Sequence, residues 1–200
     1  MTLSDSPRLR LLTLCTLYAA QGIPWGFVVI TLSAYLASQG LSTASVGEGM
    51  ALSTLPWTFK WVWGPIIDRY GFPSMGRRRP WILLAQLLMV TTIAAMILIG
   101  DLVKGVGVLG GLIFVHNCFN SLQDVAVDAL AVDLLEEHER GRANGLMYGS
   151  KYLGGAIGGA GMATVLASYG LQAALLFQTV ILGAIFLFPL LLRERPGERL

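Results

Sequence analysis

Long apolar segments fill almost the whole chain, and only short polar stretches separate them. A hydrocarbon core about 30 Å thick needs about twenty helical residues. Only helices or closed barrels satisfy the backbone in lipid, and these segments lack the alternation typical of a barrel. The pattern therefore predicts an all-α integral membrane protein, a single six-helix transmembrane bundle over residues 1–200. The predicted spans are approximately 10–37, 46–67, 80–100, 106–135, 142–167 and 171–192.

The first apolar segment begins like a secretory signal peptide. Arg8 and Arg10 precede a short apolar run that ends in small residues. The apolar character nevertheless continues past Gln21 to about Leu36, which is long enough to span a bilayer. We therefore expect an uncleaved first membrane helix.

Composition narrows the class of protein further. Hydrophobic residues make up 54% of the chain, charged residues 13%, and the mean hydropathy is +0.65, so the lipid bilayer is the expected environment. A net charge of +2, without basic runs among aromatics, predicts no nucleic-acid partner. The sequence has no Cys/His metal spacing and no paired nucleophile and base. We therefore predict no metal, no cofactor and no enzymatic activity.

Basic residues are distributed unevenly between the two predicted sides of the membrane. Of 14 lysines and arginines, Lys60 and Lys151 lie inside predicted spans, and Lys104 alone falls on the side opposite the termini. This asymmetry predicts that both termini are cytoplasmic. The residues on the predicted cytoplasmic side are Arg8, Arg10, Arg69, Arg77, Arg78, Arg79, Arg140, Arg142, Arg193, Arg195 and Arg199.

The fourth predicted span carries a stripe of polar side chains. At about 100° per residue, Asn117, Asn120, Asp124 and Asp128 share one narrow face, while Asp133 points elsewhere. Ionised carboxylates at the bilayer centre are costly, so this stripe must face partners or water. It is a candidate functional site, and a paired structural network is the alternative.

Two lysines are predicted at the same depth as these carboxylates. Helix rise places Lys60, Lys151 and Asp128 roughly 12–14 Å from their cytoplasmic helix ends. The two lysines and the pair Asp124/Asp128 could neutralise one another without any function. Alternatively, they could form a site for an anionic solute with a proton-carrying carboxylate. The candidate substrate or proton site comprises Lys60, Asn120, Gln123, Asp124, Asp128 and Lys151.

Glycine and proline mark irregular or close-packed helices. The stretch Gly22-Ile23-Pro24 is expected to interrupt the first span near its middle, and Pro56 and Pro65 bracket Lys60 in the second. Such prolines are also common in ordinary membrane helices. In the fifth span, two glycine pairs with G-x-x-x-G spacing predict close helix contact, within the chain or with a partner, namely Gly154/Gly158 and Gly155/Gly159. His116 is isolated and reads as a packed polar residue.

The loop between the second and third predicted spans combines a carboxylate at a helix end, glycine turns and a basic cluster. A membrane-surface anchor is one interpretation. The loop also resembles the signature loop of the major facilitator superfamily, with a few extra residues before the arginines. Six spans with cytoplasmic ends resemble one half of that twelve-helix fold. The resemblance implies a gating loop made of Gly64, Asp68, Arg69, Gly71, Arg77 and Arg78.

Several further stretches are similar to the AmpG-type muropeptide permeases and the related acetyl-coenzyme A transporters. This resemblance implies proton-coupled import of anhydro-muropeptides, or a similar anionic solute, by alternating access. An acetyl-coenzyme A transporter-like carrier and a non-transporting fragment are the alternatives. CDP-alcohol phosphotransferases also carry intramembrane aspartates, but the residues after Asp128 do not match their pattern. The stretches are Gln21–Gly26, Leu55–Trp61, Gly76–Trp81, Gln123–Asp128 and Glu139–Gly141.

The sequence ends after the sixth predicted span, where this family would continue into a second half. A midplane solute cavity lies between two such halves. We therefore expect a fragment, or a half that pairs with a second six-helix half or with another copy. In a pair, Asp68 could meet the fifth helix of the other half near Arg142. The expected location is a bacterial inner membrane, as a multi-pass protein.

Overall fold

The computed structural model describes residues 2–72, 74–99 and 105–198, and helices dominate all three ranges. No β-strand occurs among these residues. Lys104 and Arg199, used above to predict orientation, lie outside them. The elements in order are α1 (Pro7–Gly26), a π-helical segment (Phe27–Leu32), α2 (Ser33–Ser38), α3 (Thr43–Thr58), a 3₁₀ turn (Lys60–Val62), α4 (Trp63–Arg69), α5 (Arg79–Ile97), α6 (Val106–Leu134), α7 (Glu137–Ala156), a second π-helical segment (Ile157–Gly161), α8 (Met162–Tyr169) and α9 (Leu171–Leu191).

Helix α7 begins five residues before the predicted fifth span, at Glu137 rather than residue 142. Its start is set by a capping box, in which the Glu136 side chain accepts from the third helical backbone N–H and the Glu139 side chain accepts from the Glu136 N–H. This reciprocal pairing satisfies two N–H groups that would otherwise lack partners. The first turn of α7 is therefore helical, although its residues are polar and lie outside the predicted apolar span.

Three described helical stretches are long and apolar enough to cross a membrane by length and composition, namely Pro7–Ser38, Arg79–Ile97 and Leu171–Leu191. Helix α6 has 29 residues, but its buried asparagine, glutamine and aspartate side chains make it less apolar. That all six predicted segments span the bilayer stays a prediction.

The helix irregularities fall close to the predicted prolines but not at them. Helix α1 continues through Pro24, and the irregular segment is the π-helical turn Phe27–Leu32 that follows it. The expectation that Gly22-Ile23-Pro24 interrupts the helix is therefore wrong. In the second stretch, α3 contains Pro56 and ends at Thr58, and a 3₁₀ turn then carries Lys60. The freed backbone at this break places Lys60 beside α6.

Glycines allow α1 and α7 to approach until their backbones touch. A Cβ on Gly154 would lie 2.4 Å from the carbonyl oxygen of Ala19, and one on Gly158 would lie 1.9 Å from that of Ile23. Only a residue without a side chain fits at such positions. The Thr31 hydroxyl adds a hydrogen bond of 2.6 Å to the carbonyl oxygen of Gly159, joining the two π-helical segments. The G-x-x-x-G pairs thus serve a contact within the chain.

Helix α5 packs between α6 and α9 and is held by polar side chains at both neighbours. Gln86 donates to the carbonyl oxygen of Leu182 at 3.1 Å, and its own oxygen accepts from Gln123. At the start of α5, the buried Arg79 donates to the carbonyl oxygens of Pro189 and Leu190 at 2.6 and 2.7 Å. These bonds satisfy carbonyls at the end of α9.

The chain ends meet at one end of the bundle. The backbone N–H of Leu3 donates to the carbonyl oxygen of Arg193 at 2.8 Å. On the same end, Arg10 of α1 forms an ion pair with Glu139 of α7 at 2.7 Å. We call this the terminal end of the bundle.

We predict that Gly154→Ala destabilises the bundle, because the added methyl group overlaps the Ala19 carbonyl. Overpacking of this kind costs about 1–3 kcal/mol. The measurement is thermal unfolding of the purified protein in detergent. Gly149→Ala is the matched control on the same helix, since its Cβ meets nothing within 4 Å among the described residues. Equal melting temperatures for the two variants would contradict the close contact.

Candidate functional site

Asp124 lies at the centre of a cluster of charges between four helical elements. It accepts from Lys60 at 2.9 Å and from Lys151 at 3.3 Å. The Asp124 side chain is 4% exposed, whereas Lys60 is 43% and Lys151 23% exposed. A carboxylate can remain charged in such a place only with partners of this kind. The predicted shared layer of Lys60, Asp124 and Lys151 therefore exists.

Aromatic rings surround the two ammonium groups. The Lys151 Nζ lies 4.7 Å from the ring centre of Trp57 and 5.6 Å from that of Tyr18. The Lys60 Nζ lies 5.9 Å from the Trp57 ring. Because the faces of aromatic rings attract cations, these contacts stabilise the two ammonium groups, which are partly removed from water.

Asp128 forms no ion pair with either lysine among the described residues, although the sequence predicts it at their depth. Its carboxylate accepts a hydrogen bond from the hydroxyl of Tyr18. The Tyr18 ring in turn meets Tyr148 edge-on, with 5.6 Å between the ring centres. Asp128 is thus a second carboxylate in a different environment, held by a neutral donor.

The other predicted polar residues of α6 do not join the charge cluster. Asn117 accepts from the Trp57 indole at 3.1 Å. Asn120 is fully buried, and neither of its side-chain polar atoms has a partner among the described residues. Gln123 turns to α5, where it donates to Gln86. Asn120 and Gln123 are therefore buried near the charges without contacting them.

A cavity of about 290 Å³ opens beside the cluster, between α1, α3, α6 and α7. Lys151 reaches its wall, so the cavity connects directly with the charges. Its volume is near the lower end of the range for ligand pockets, and its largely apolar wall carries a few polar groups. The residues that matter below are Trp25, Trp57, His116, Asn117, Tyr148 and Lys151.

Comparison with known proteins identifies the family of the chain. A family model described as Major Facilitator Superfamily matches residues 14–200. The chain belongs to this superfamily. It is 33% identical over 172 residues to the anhydromuropeptide permease of Escherichia coli (strain K12), covering 81% of this chain and 34% of that protein. It is also 28% identical over 176 residues to an uncharacterised protein of Haemophilus influenzae, covering 88% of this chain and 41% of that protein.

These matches confirm the predicted resemblance to AmpG-type permeases of the major facilitator superfamily. They support a membrane transporter rather than an enzyme. The chain spans between a third and about two fifths of the length of these relatives. What the whole relatives do therefore comes to this chain only as a proposal.

The loop between α4 and α5, which resembles the superfamily's signature loop, forms an ion-pair network at the terminal end. Arg78 donates to Asp68 at 2.6 Å and to Asp133 of α6 at 2.8 Å. Arg77 reaches the same Asp68 oxygen at 3.4 Å. Arg78 is buried, so two carboxylates compensate its removal from water. The network ties α4, the loop and α6 together.

The remaining predicted loop residues lie around this network rather than in it. Gly64 lines a crevice of about 340 Å³ together with Asp68 and Arg78. Arg69 lies with its guanidinium 5.9 Å from the Tyr70 ring. Gly71 is close to the stem of Arg77, 3.8 Å from where a Cβ would be. These positions shape the loop without binding Asp68.

Glu194, just after α9, is a further anchor of the loop. Its carboxylate accepts from the backbone N–H groups of Arg77 at 3.1 Å, Arg78 at 2.8 Å and Arg79. An acid at the start of α5 also complements the helix dipole. Gly76 has φ +101°, and a Cβ there would lie 2.8 Å from the Glu194 carboxyl carbon. Both the conformation and the space therefore require glycine.

The two loop carboxylates differ in pKa. The hydrogen bond from Arg78 holds the pKa of Asp68 below its ordinary value. The stability that Asp68 contributes is thus present above the ordinary pKa and is lost as pH falls through the lowered one. Burial raises the pKa of Glu194, although the backbone N–H groups of 77–79 oppose this. The contribution of Glu194 to the free energy of unfolding therefore decreases as pH rises from the ordinary pKa through the raised one.

Sequence reasoning missed Tyr18, Trp57 and Glu194 as parts of the site. Tyr18 lies in an apolar helix and shows no spacing relation to the acids on α6. Trp57 stands three residues before Lys60, one helical turn away, and this spacing was the available signal. Glu194 lies in a charged tail whose partner is more than one hundred residues away in sequence.

We predict that Asp124→Asn leaves the protein inserted but less stable, because two lysines lose their carboxylate. Breaking a buried pair costs about 3–5 kcal/mol, and the exposure of Lys60 favours the low end. Adding Lys151→Met to Asp124→Asn should restore part of the loss, and Lys60→Met should restore less. The measurement is the free energy of unfolding in detergent. Wild-type stability of Asp124→Asn would refute the charge cluster.

We also predict that Gly76→Ala loosens the loop from Glu194. The cost should be about 1–3 kcal/mol, since both the backbone and the carboxylate must move. Gly71→Ala is the matched control, because its Cβ makes an ordinary contact. Proteolysis at residues 193–198 measures the release. Identical cleavage rates in the two variants would argue against the anchor.

Proposed function

We propose that this chain forms a six-span half of a proton-coupled transporter that imports anhydromuropeptides or similar anionic solutes. In this proposal the terminal end is cytoplasmic and the membrane is a bacterial inner membrane. The observation that carries it is the pair Lys60 and Lys151 around one buried carboxylate, beside a cavity. The printed name of the Escherichia coli relative supports the solute class.

The charge balance supports a link between protons and anions. With Asp124 and Asp128 both ionised, the two lysines are exactly neutralised. A proton on Asp128 leaves one positive charge in excess near Lys151. An anionic solute then balances this charge, so proton and anion favour each other's binding, as linked ligands must. Asp128 suits the proton role because its partner is the neutral Tyr18 hydroxyl rather than a lysine.

A second half completes the site in this proposal. A solute cavity at the midplane needs walls from two halves. The exposed large side chains that line the cavity include Trp25 of α1 and Tyr152 of α7, at 45% and 69% exposure. Either a separate six-helix half or a second copy would cover them. Asp68 is 58% exposed and remains available to the α7 start of the other half near Arg142.

We predict that Asp128→Asn abolishes uptake of labelled anhydromuropeptide driven by a proton gradient, whereas solute exchange across proteoliposomes persists. Asp124→Asn should abolish both, because both lysines are released. Lys60→Ala should weaken binding of an acidic solute more than a neutral one. Gradient-driven uptake by Asp128→Asn at the wild-type rate would eliminate the proton role.

The same assay separates the alternatives. The chain is reconstituted alone and together with the second half of the Escherichia coli relative. Uptake by the chain alone, with dimers found by crosslinking, supports a homodimer. Uptake only in the mixture supports a half that needs another half. No uptake in either case rejects the transport proposal and favours a non-transporting fragment, and uptake of acetyl-coenzyme A instead reassigns the solute.

A further inference from the structure

We propose that His116 determines solute specificity by accepting a hydrogen bond at Nε2 from a hydroxyl or amide N–H of the solute. This inference rests on the proposed transport function. It adds a neutral acceptor to a site that otherwise presents charges. His116 lies two helical turns from Asp124 on α6 and lines the same cavity as Lys151.

The hydrogen bonds of Thr92 fix the tautomer of His116. The Thr92 hydroxyl lies 2.8 Å from the carbonyl oxygen of Leu88 and 2.9 Å from that of Met89, so its single proton is used there. With the proton there, its oxygen, 2.8 Å from His116 Nδ1, acts as an acceptor. We therefore assign the proton of the neutral ring to Nδ1 and a lone pair to Nε2, which the first test below measures.

Nε2 is the nitrogen left for a ligand. His116 is 1% exposed, and its Nε2 has no hydrogen-bond partner among the described residues. A buried acceptor without a partner is costly, and in a cavity wall it points to a molecule that supplies the donor. Because Nδ1 contacts Thr92 on α5, Nε2 is the ring nitrogen left to pair with a solute in the cavity that His116 lines.

The polar neighbours of His116 in the cavity wall already have partners. Asn117 donates to the carbonyl oxygen of Ile113 at 3.0 Å and accepts from Trp57, so each end of its amide has a partner. Lys151 is a donor and faces Asp124. The cavity thus offers a cation at one side and an unpaired neutral acceptor at another. A solute that lacks a donor at that position would leave Nε2 unpaired and be rejected.

The first test is ¹⁵N NMR of histidine-labelled protein in nanodiscs. The chain has 2 histidines, so His138→Gln leaves the resonances of His116 alone. We expect a protonated Nδ1 and a bare Nε2 without solute. Saturating anhydromuropeptide should shift the Nε2 resonance in the direction of an accepted hydrogen bond and leave Nδ1 unchanged. A protonated Nε2, or a bound solute that does not shift it, overturns the inference.

The second test compares two variants by the dissociation constant of anhydromuropeptide. His116→Asn keeps a donor near Nδ1 but removes Nε2, so binding should weaken roughly ten- to a hundredfold. His116→Gln places an amide oxygen near the Nε2 position and should bind within a few-fold of the wild type. Wild-type affinity of His116→Asn overturns the inference, as does equal weakening in both variants at unchanged melting temperature.

A failure of the proposed function can be distinguished from a failure of the inference about His116. If the wild type does not bind anhydromuropeptide, that proposal loses its solute, while the tautomer measurement still decides on His116. A bare Nε2 then supports an acceptor site for another donor-bearing molecule. A protonated Nε2 rejects the site for any such solute.

Discussion

The need to neutralise Asp124 away from water organises the interior of this protein. Its partners come from the 3₁₀ turn after α3 and from α7, so three separate stretches must converge on one side chain. Lys60 can reach Asp124 because the helix breaks after Thr58. The aromatic rings, the polar face of α6 and the cavity all follow from this convergence. Losing it would leave charges that no apolar packing could compensate.

At the terminal end of the bundle, a buried cation rather than a buried carboxylate is neutralised by partners of opposite charge. Here the buried cation is Arg78, and Asp68 and Asp133 share it. Glu194 adds a link from the end of α9 to the start of α5. Because these contacts join the loop to α4, α6 and the segment after α9, movement of the loop would displace all three.

The helical segments and the polar stripe of α6 could be predicted because length and periodicity are local properties. That the two lysines meet a carboxylate of α6 could also be predicted from helix rise, but rise gave the lysines the depth of Asp128, and the structure pairs them with Asp124. Which residue each polar group contacts could not, because this depends on helix rotation. The sequence predicts Gln123 in the charged site. Gln123 lies one residue before Asp124, about 100° away around the helix, and it contacts Gln86 instead. Tyr18 gave no signal, because a lone tyrosine in an apolar helix is unremarkable in sequence.

The backbone contact between α1 and α7 has a consequence for biosynthesis. The two helices that touch at Gly154 and Ala19 are separated by more than one hundred residues of intervening chain. The first helix therefore leaves the ribosome long before its neighbour exists, with Gln21 and Thr31 still unpacked. Until then the Thr31 hydroxyl lacks its acceptors, the carbonyl oxygens of Gly158 and Gly159. Truncation before the fifth helix would produce an orphaned intermediate, open to quality-control proteases.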